Sequence, residues 1–499
     1  MTGPRTARLR IDEEATVADV PRRLFGSFVE HMGRCVYTGV FEPDHPTADE
    51  EGFRGDVLEL VRELGVTVVR YPGGNFVSGY RWEDGVGPRA ARPRRLDTAW
   101  HEIDPNTFGL HEFASWAAKA GVEVMEAVNL GTRGIADAMR LVEYANHPGD
   151  TQLSEWRREN GADEPFGIRL WCLGNEMDGP WQLGAKTAEE YGRLAHETAK
   201  GMRGVDRDIE LVVAGSSGPD MPTFGEWERT VLRHTYADVD YVSLHLYVQE
   251  RPGEAETFLR SADRLDAFIG DVVAIVDEVR AEGGHQKVVH LSLDEWNVWD
   301  QDAFNDPAEQ ARMLSAPWSE HPRVIEDEYT VTDAVVVGTL MHTLLRRSDR
   351  VKIANQAQLA NVIAPIMTEP GGPAWRQTIF WPFARIAHWA RGAVVRVDVA
   401  DDDVDAVATV DGDGGALFVA NRSLTEAVTV ELALASVAGD LRRVVEAELL
   451  APPAGDRTAT NSRTEPDRVR MTPLDLAEGE GVVSFTLPPV SWACLRLAR

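Results

Sequence analysis

The segment "IRLWCLGNE", residues 168–176, contains the two features that decide the fold. It begins as a short, continuous apolar run, which is typical of a strand covered on both faces. Asn175 and Glu176 then follow with no turn-forming segment before them. Burying a carboxylate is costly unless neighbouring groups compensate for it. The pattern therefore indicates a buried strand that delivers Asn175 and Glu176 to a site at its carboxyl end.

Seven other runs of the same kind occur before residue 360. They are "LFGSFVEH" (24–31), "VTVVRYPGG" (66–74), "VEVMEAVNLG" (122–131), "IELVVAGSS" (209–217), "DYVSLHLY" (240–247), "VVHLSLDEW" (288–296) and "RVKIANQAQ" (350–358). Amphipathic helical patterns lie between them, for example "RGDVLELVRELG" (54–65), and "AWRQTIFWPFARIAHWARG" (374–392) would be the eighth helix. Eight strand–helix repeats predict an α/β fold, a (β/α)8 TIM barrel over residues 19–390. A doubly wound open sheet is the alternative, but no GxGxxG follows the first strand.

The pattern changes near residue 390. Short alternating runs such as "ALFVANRS" (416–423) and "SWACLRLA" (491–498) are separated by turn residues, which predicts an antiparallel, jelly-roll-like β-sandwich over residues 391–499. Residues 1–18 contain "RLRIDEEATV" (8–17), which we expect to add an N-terminal strand to this sandwich. "DGDGG" (411–415) lacks EF-hand spacing and is interpreted as a hairpin turn.

Composition narrows the classes of function. The 499 residues carry a formal net charge of −30, which argues against nucleic acid or an anionic membrane as a partner. No apolar run approaches the roughly 18 residues of a membrane helix, and the N-terminus lacks the apolar core of a signal peptide. We therefore expect a cytoplasmic protein. The three cysteines form no CxxC or Cys/His metal spacing, so we expect no metal and no cofactor.

The carboxyl ends of the predicted barrel strands are unusually polar, and active sites of such barrels lie at that end. Glutamates follow the fourth and the seventh apolar runs, at Glu176 and Glu295. Two carboxylates across one pocket are the minimum for hydrolysing a glycosidic bond. The other strand ends offer Glu30, His31, Arg70, Asn75, Asn129, Asn175, Ser216, His245, Tyr247, Asp294 and Gln358.

Several features fit a sugar ligand. Trp82, Trp100, Trp181, Trp296 and Trp299 fall in or near the loops above the predicted barrel, and flat aromatic faces pack against sugar C–H groups. A metal site at His31 and His245 has no local ligand spacing to support it. Cys172 lies inside a strand pattern, so it is interpreted as a small buried side chain and not as a nucleophile.

Longer stretches resemble one family, the family 51 glycoside hydrolases, which are intracellular α-L-arabinofuranosidases of bacteria. The resemblance covers residues 24–385 and rests on "FGSFVEHMGRCVYTGVFEPDHPTADEEGFR", "RYPGGNFVSGYRWEDGVGP", "NLGTRG", "WCLGNEMDGPWQLGAKTAEEYG", "DEWNVW" and "NVIAPIMTEPGGPAWRQTIF". It implies that Glu176 is the general acid/base and Glu295 the nucleophile. It also implies a subsite for the terminal arabinofuranose, made by Glu30, Arg70, Asn75, Asn175, His245, Tyr247 and Gln358, with Trp100 and Trp299 at its rim.

The chain departs from the family pattern at Leu246, where a polar residue is expected, and at Asn355 and Gln356, where apolar residues are usual. These changes affect the expected leaving-group preference more than the chemistry, and Gln358 rather than Gln356 keeps the binding position. The resemblance also implies a homo-oligomer, a hexamer.

The sequence therefore predicts a retaining, exo-acting α-L-arabinofuranosidase of arabino- and arabinoxylo-oligosaccharides. An endo-acting xylanase or glucanase on the same barrel is the alternative enzyme, and the products released from a polymer would distinguish the two. A non-catalytic carbohydrate-binding protein is the alternative from another class, and hydrolysis of a chromogenic arabinofuranoside would exclude it.

Overall fold

The computed structural model describes residues 5–434, 441, 443–479 and 481–499, and of Glu13 the backbone alone. Residues 1–4 of the predicted N-terminal segment, and residues 435–440, 442 and 480 of the predicted sandwich, lie outside the described residues. The first element is strand β1 (Thr6–Asp19). In the described part of the chain, no helix combines the length and the apolar character needed to cross a membrane.

A closed parallel barrel follows, which confirms the predicted fold class. Residues 26–357 are all described, and ten strands lie within this range. They are β2 (Gly26–Phe28), β3 (Val68–Tyr71), β4 (Arg95–Asp97), β5 (Glu102–Asp104), β6 (Glu123–Ala127), β7 (Leu170–Leu173), β8 (Glu210–Val213), β9 (Tyr241–Val248), β10 (His290–Val298) and β11 (Val351–Ala357). The barrel order is β10-β11-β2-β3-β6-β7-β8-β9, so each of the eight apolar runs supplies one barrel strand. β4 and β5 form a separate hairpin.

Helices connect and surround the strands. They are α1 (Gly55–Leu64), α2 (Leu110–Ala120), α3 (Ile135–Asn146), α4 (Gln152–Glu159), α5 (Ala188–Val205), α6 (Glu226–Thr235), α7 (Ala255–Leu259), α8 (Ser261–Gly283), α9 (Gln301–Phe304), α10 (Pro307–Ser315), α11 (Val331–Arg346) and α12 (Phe380–Trp389). Gly65 and Gly121 end α1 and α2 with φ values of 81° and 77°, which a residue without a Cβ adopts at little cost.

The predicted eighth helix over 374–392 is too long at both ends. Its first residues instead form strand β13 (Ala374–Arg376), which pairs with β12 (Ile366–Thr368), and the helix begins only at Phe380. Pro382 lies in the first turn of α12, where its missing N–H costs no helical hydrogen bond.

The C-terminal part is rich in β-strands. They are β14 (Ala393–Val399), β15 (Val404–Val410), β16 (Gly414–Asn421), β17 (Val428–Ala433), β18 (Arg443–Leu450), β19 (Thr472–Pro473), β20 (Ala477–Gly479), β21 (Val482–Leu487) and β22 (Ser491–Ala498). β1 lies between β14 and β17 in one ten-stranded sheet. The alternating apolar side chains of β1, β16, β17 and β22 meet in one core, as in a sandwich. One pairing departs from the predicted antiparallel pattern, because β1 runs parallel to β17.

A buried polar contact joins the barrel to this sheet. Asp405 of β15 accepts hydrogen bonds from His342 Nδ1 and from both terminal nitrogens of Arg346, which belong to α11. Trp492 of β22 donates its indole N–H to His342 Nε2 at 3.0 Å. A neutral His342 with its proton on Nδ1 therefore satisfies both partners, and burial keeps the pKa of His342 low.

Candidate active site

A cavity of about 410 Å³ opens at the carboxyl ends of the barrel strands. Volumes of this order are usual for pockets that bind small molecules. Eight residues of the predicted site line it, namely Glu30, Asn75, Trp100, Glu176, Tyr247, Glu295, Trp299 and Gln358. The other three, Arg70, Asn175 and His245, are buried behind this lining and contact the two catalytic candidates or each other.

Glu295 lies near the end of β10 and is held by two hydrogen-bond donors. Arg70 Nη1 lies 2.8 Å from its Oε1, and the Tyr247 hydroxyl lies 2.8 Å from its Oε2. Burial alone would raise the pKa of Glu295, but the charges of His245 and Arg70 outweigh burial and hold the pKa below its ordinary value. Glu295 is therefore an anion at neutral pH.

The local backbone explains how Glu295 reaches the pocket. The pairing of β10 with β9 shifts register between Leu293 and Glu295, so the strand has an irregularity at Asp294. Such a bulge re-aims a side chain next to a site. Asp294 and Glu295 are consecutive, yet Arg70 lies within 4 Å of both carboxylates.

Glu176 follows β7 on a tight turn. Gly174 has a φ of 84° and Glu176 itself a φ of 42°, a conformation that non-glycine residues rarely adopt. Oε1 of Glu176 lies 2.9 Å from His245 Nδ1, and Oε2 accepts the indole N–H of Trp181 at 2.6 Å. Burial raises the pKa of Glu176, the negative charge of Glu295 adds to the rise, and the bonds from His245 and Trp181 oppose it in part. Of the two carboxyls, Glu176 therefore keeps its proton to the higher pH.

The two carboxyl groups lie close together in the pocket. One oxygen of Glu176 and one of Glu295 lie within 4.8 Å of each other. Retaining glycosidases hold their carboxyl groups about 5–5.5 Å apart, whereas inverting enzymes leave about 6.5–9.5 Å for a water molecule. The geometry therefore favours direct attack by one carboxylate on the sugar.

Glu30 is a third carboxylate that lines the pocket. Its Oε1 accepts the backbone N–H of Phe76 and the indole N–H of Trp100, both at 3.0 Å, and its Oε2 accepts Gln358 Nε2 at 3.2 Å. Burial raises the pKa of Glu30, and the nearby negative charge of Glu295 adds to the rise. The hydrogen bond from Phe76 lowers the pKa in part, which leaves it at about 8. Near neutral pH, Glu30 can therefore donate a hydrogen bond as well as accept one.

The segment "YPGGN" (71–75) lets the backbone pass close to these carboxylates. A Cβ on Gly73 would lie 2.7 Å from Glu30 Cγ, and one on Gly74 would lie 3.0 Å from Glu295 Oε1. A side chain at Gly73 would displace Glu30, and one at Gly74 would press on the carboxylate of Glu295. Asn75, which lines the cavity, follows directly.

Asn175 is hydrogen-bonded to Arg70 beneath the pocket lining. Its Oδ1 accepts Arg70 Nη2 at 2.6 Å, while the same guanidinium holds Glu295 through Nη1. The orientation of Asn175 and that of Glu295 therefore depend on one arginine. Leu246, Asn355 and Gln356, the departures from the family pattern, are buried and do not line the cavity.

Three residues at strand ends lie outside the pocket. His31 is buried between Asp104 and Tyr71, with Nδ1 2.7 Å from Asp104 Oδ2 and Nε2 2.8 Å from the Tyr71 hydroxyl. The side chain of Asn129 closes its own loop with bonds to Tyr80 and Thr132. The backbone N–H of Ser216 donates to Glu228. None of these three residues lines the cavity.

One cluster of potential metal ligands is found among the described residues, and it consists of Glu176, Glu295 and His245. His245 Nδ1 already contacts Glu176 Oε1, and Arg70 supplies the positive charge next to Glu295. A cation here would compete with that guanidinium.

The sequence left two aspects of the pocket undetected. The sequence places Trp181 only in or near the loops above the barrel, whereas its indole N–H donates a hydrogen bond to Glu176. Phe304, Gln310 and Met313 also line the cavity, and no strand-end pattern marks them. Trp82 and Trp296, in contrast, are buried away from the lining.

A parallel eight-stranded barrel whose pocket holds two close carboxylates of opposed pKa shift is the architecture of a glycoside hydrolase. Comparison with known proteins agrees. The family model described as "Alpha-L-arabinofuranosidase 1 domain" matches residues 60–268, and that described as "Alpha-L-arabinofuranosidase C-terminal domain" matches residues 294–491. The chain belongs to the family 51 α-L-arabinofuranosidases.

Individual relatives match along the whole chain. An intracellular exo-α-(1→5)-L-arabinofuranosidase of Streptomyces lividans is 53% identical over 99% of this chain and 76% of its own length. An exo-α-(1→6)-L-arabinofuranosidase of Bifidobacterium longum is 51% identical over 98% and 97%. The solved structure of a family 51 α-L-arabinofuranosidase from Bifidobacterium longum is 45% identical, with a TM-score of 0.94 over 99% of both chains.

Proposed function

We propose that the protein is an exo-acting α-L-arabinofuranosidase that releases terminal arabinofuranosyl residues with retention of configuration. The observation that carries this proposal is the Glu176–Glu295 pair, within 4.8 Å in the barrel pocket and with pKa values displaced in opposite directions. Opposed shifts assign an acid and an anion to the two carboxyls.

In the first step, Glu295 attacks the anomeric carbon while Glu176 protonates the departing oxygen. The bond from the anomeric carbon to that oxygen breaks as the bond to Glu295 forms. In the second step, Glu176 is a carboxylate and takes a proton from water, which displaces Glu295 and releases arabinose. His245 and Trp181 keep Glu176 oriented through both steps, because each contacts one of its oxygens.

The remaining predicted residues form the sugar subsite in this proposal. Glu30, Gln358 and Asn75 face the cavity and offer polar groups to ring hydroxyls. Asn175 is held by Arg70 just behind the lining, and we propose that it bonds the hydroxyl next to the reacting carbon, a contact that would strengthen in the transition state. Trp100 and Trp299 give the aromatic rim.

An endo-acting xylanase or glucanase is not favoured. The relatives named above are exo-acting arabinofuranosidases at 51–53% identity. Their names differ in linkage, (1→5) in one and (1→6) in the other, at nearly the same identity. Arabino- and arabinoxylo-oligosaccharides are proposed as substrates from the family resemblance. Incubation with arabinan tests the mode of action: single arabinose units are expected, and internal cleavage into longer fragments would refute it.

We also propose a cytoplasmic location, which the word "intracellular" in the relatives' names supports. A cytoplasmic enzyme meets short, imported oligosaccharides. We expect a higher kcat/KM on arabinotriose or arabinoxylo-oligosaccharides than on intact arabinan or arabinoxylan. Equal values on polymer and trimer would contradict this.

The homo-hexamer is a proposal from the family resemblance. Sedimentation velocity at micromolar concentration tests it, and a species at the chain mass of 55.1 kDa would refute it.

The decisive test of the reaction is hydrolysis of p-nitrophenyl α-L-arabinofuranoside, followed by NMR of the first-formed product. The α-anomer is expected because two displacements restore the configuration. The β-anomer would exclude Glu295 as a nucleophile, and no hydrolysis would exclude the proposed activity.

A further inference from the structure

The connection between β10 and α11 extends over the pocket mouth. We call its residues 301–315 the arm; they include the short helices α9 and α10. All nine residues of α10 are described and none is buried. Of the half-buried ones, Gln310 and Met313 line the cavity. They are three positions apart and so share one face of the helix.

The chain that follows the arm is fixed to the β4–β5 hairpin although the arm is exposed. His101 Nε2 lies 2.9 Å from the carbonyl oxygen of Ala316, and the backbone N–H of Ile103 donates to that of Ser319 at 2.9 Å. The rings of His101 and Trp318 have centroids 3.9 Å apart. These contacts hold α10 at the mouth without burying it.

A line of aromatic rings joins the nucleophile to the arm. The Tyr247 hydroxyl donates to Glu295, and the Tyr247 and Trp299 rings have centroids 5.0 Å apart. Trp299 and Phe304 follow at 5.3 Å. The pocket wall therefore continues without interruption from the reacting carboxylate to the arm.

The cavity exceeds the volume of one sugar residue. An arabinofuranosyl group has nine heavy atoms, and at no more than about 30 Å³ each they fill about 270 Å³ at most. About 140 Å³ of the 410 Å³ then remains toward the mouth. An exo-acting enzyme holds its terminal residue at the bottom, so the leaving group occupies this outer part.

The arm presents only uncharged side chains to the cavity. They are Gln301, Phe304, Asn305, Gln310 and Met313, whereas the charged residues Asp302, Asp306, Glu309 and Arg312 do not line it. Gln310 donates Nε2 to the carbonyl oxygen of Phe304 at 2.7 Å, which orients its amide oxygen. Apolar surface beside oriented amides suits a neutral sugar ring.

We propose that the arm binds the leaving group as a second, neutral pentose residue, with Phe304 and Met313 against its carbon face and Gln310 on a hydroxyl. The inference rests on the proposed function, since it concerns the leaving-group side of the same reaction. It makes Gln310 and Met313 specificity-determining residues for oligosaccharides over small glycosides.

The test compares arabinobiose with methyl α-L-arabinofuranoside. Both release an alcohol that needs protonation, but methanol cannot reach the arm. The measured quantity is the ratio of kcat/KM on arabinobiose to kcat/KM on the methyl glycoside. Loss of a pocket contact of this size changes discrimination by tenfold or more. We expect the ratio to fall about tenfold in Met313→Ala and in Gln310→Ala.

Two variants serve as controls. Leu314→Ala changes the neighbouring residue of α10, which is 60% exposed and does not line the cavity, and should leave the ratio within about twofold. Met313→Leu keeps the apolar volume and should restore most of the ratio. A ratio that does not respond to Met313→Ala and Gln310→Ala would overturn the inference. Failure of the wild type on both glycosides would instead overturn the proposed function.

Discussion

Nδ1 of His245 lies 2.9 Å from Oε1 of Glu176. The same nitrogen lies 3.6 Å from Oε2 of Glu295, so one imidazole stands between the two carboxylates. Burial lowers the pKa of His245, but the charges of Glu295 and Glu176 outweigh burial and raise it. A positive His245 in turn lowers the pKa of both carboxyls. The three groups therefore titrate as one coupled unit.

The first prediction concerns the pH profile of kcat/KM. In the wild type, activity should fall on the acid side as Glu295 gains a proton, at a pH below the ordinary glutamate pKa. It should fall on the alkaline side as Glu176 loses its proton, at a pH above the ordinary glutamate pKa. His245→Asn removes a positive charge, so both carboxyl pKa values should rise and both limbs should move to higher pH. His388→Asn, an exposed histidine, should leave both limbs in place. An unmoved profile in His245→Asn would refute this coupling.

The second prediction concerns Arg70, which contacts Glu295 through one terminal nitrogen and Asn175 through the other. Lysine carries the charge but cannot reproduce the two-pronged geometry. Arg70→Lys should lower kcat/KM on p-nitrophenyl arabinofuranoside about 100-fold, which corresponds to losing a charge-assisted hydrogen bond of about 1.5–3 kcal/mol. Its acid limb should also move to higher pH. Arg81→Lys, an exposed position, should match the wild type. Near-normal activity in Arg70→Lys would show that charge alone suffices.

The third prediction concerns stability at the contact between α11 and the C-terminal sheet. Burial raises the pKa of Asp405, but Arg346 and His342 outweigh burial and hold the pKa well below its ordinary value. A depressed folded-state pKa gives stability that is complete above the unfolded pKa of about 3.9 and is lost as the pH falls through the folded value. Asp405→Asn should therefore cost about 2 kcal/mol of unfolding free energy at pH 7, less than a fully buried pair because Arg346 is partly exposed.

Urea unfolding at several pH values tests that prediction. The difference between Asp405→Asn and the wild type should shrink below pH of about 4, where Asp405 gains a proton in the unfolded chain while it is still ionised in the folded protein. Asp271→Asn, on the exposed face of α8, should show no such difference. A cost that stays constant with pH would indicate lost packing and not a lost charge.

The barrel and the position of two carboxylates in its pocket were predictable because their signal is local and repeated. Each buried strand is an apolar run, and Glu176 and Glu295 follow two such runs directly. Strand β18 (Arg443–Leu450) gave no such signal, because its side chains are mostly half-buried or exposed and show no clean alternation. The parallel pairing of β1 with β17 joins residues more than 400 positions apart, and no local pattern encodes it.

The residues of the outer pocket could not be predicted from the sequence, for a different reason. Trp181 is 52% exposed in a loop, and its role depends on the turn at Glu176, which sets its indole against Oε2. Gln310 and Met313 lie on a short helix with no buried residue, so no amphipathic stripe distinguishes it from a surface connection. Tertiary contacts alone bring these residues to the pocket.

The last prediction separates the roles of the two carboxylates. Glu295→Ala removes the nucleophile, and its partner Arg70 offers no replacement, so activity should fall by several orders of magnitude on every substrate.

The activity of Glu176→Ala should depend on the leaving group. Dinitrophenolate departs without a proton, so formation of the arabinosyl-enzyme should survive with it and collapse with an alkyl or sugar leaving group. Hydrolysis of that intermediate lacks its base, so a pre-steady-state burst should appear. Azide, which needs no base, should raise turnover and give an adduct with the substrate's anomeric configuration. Equal slowing of both leaving-group classes without azide rescue would show that Glu176 is not the acid/base.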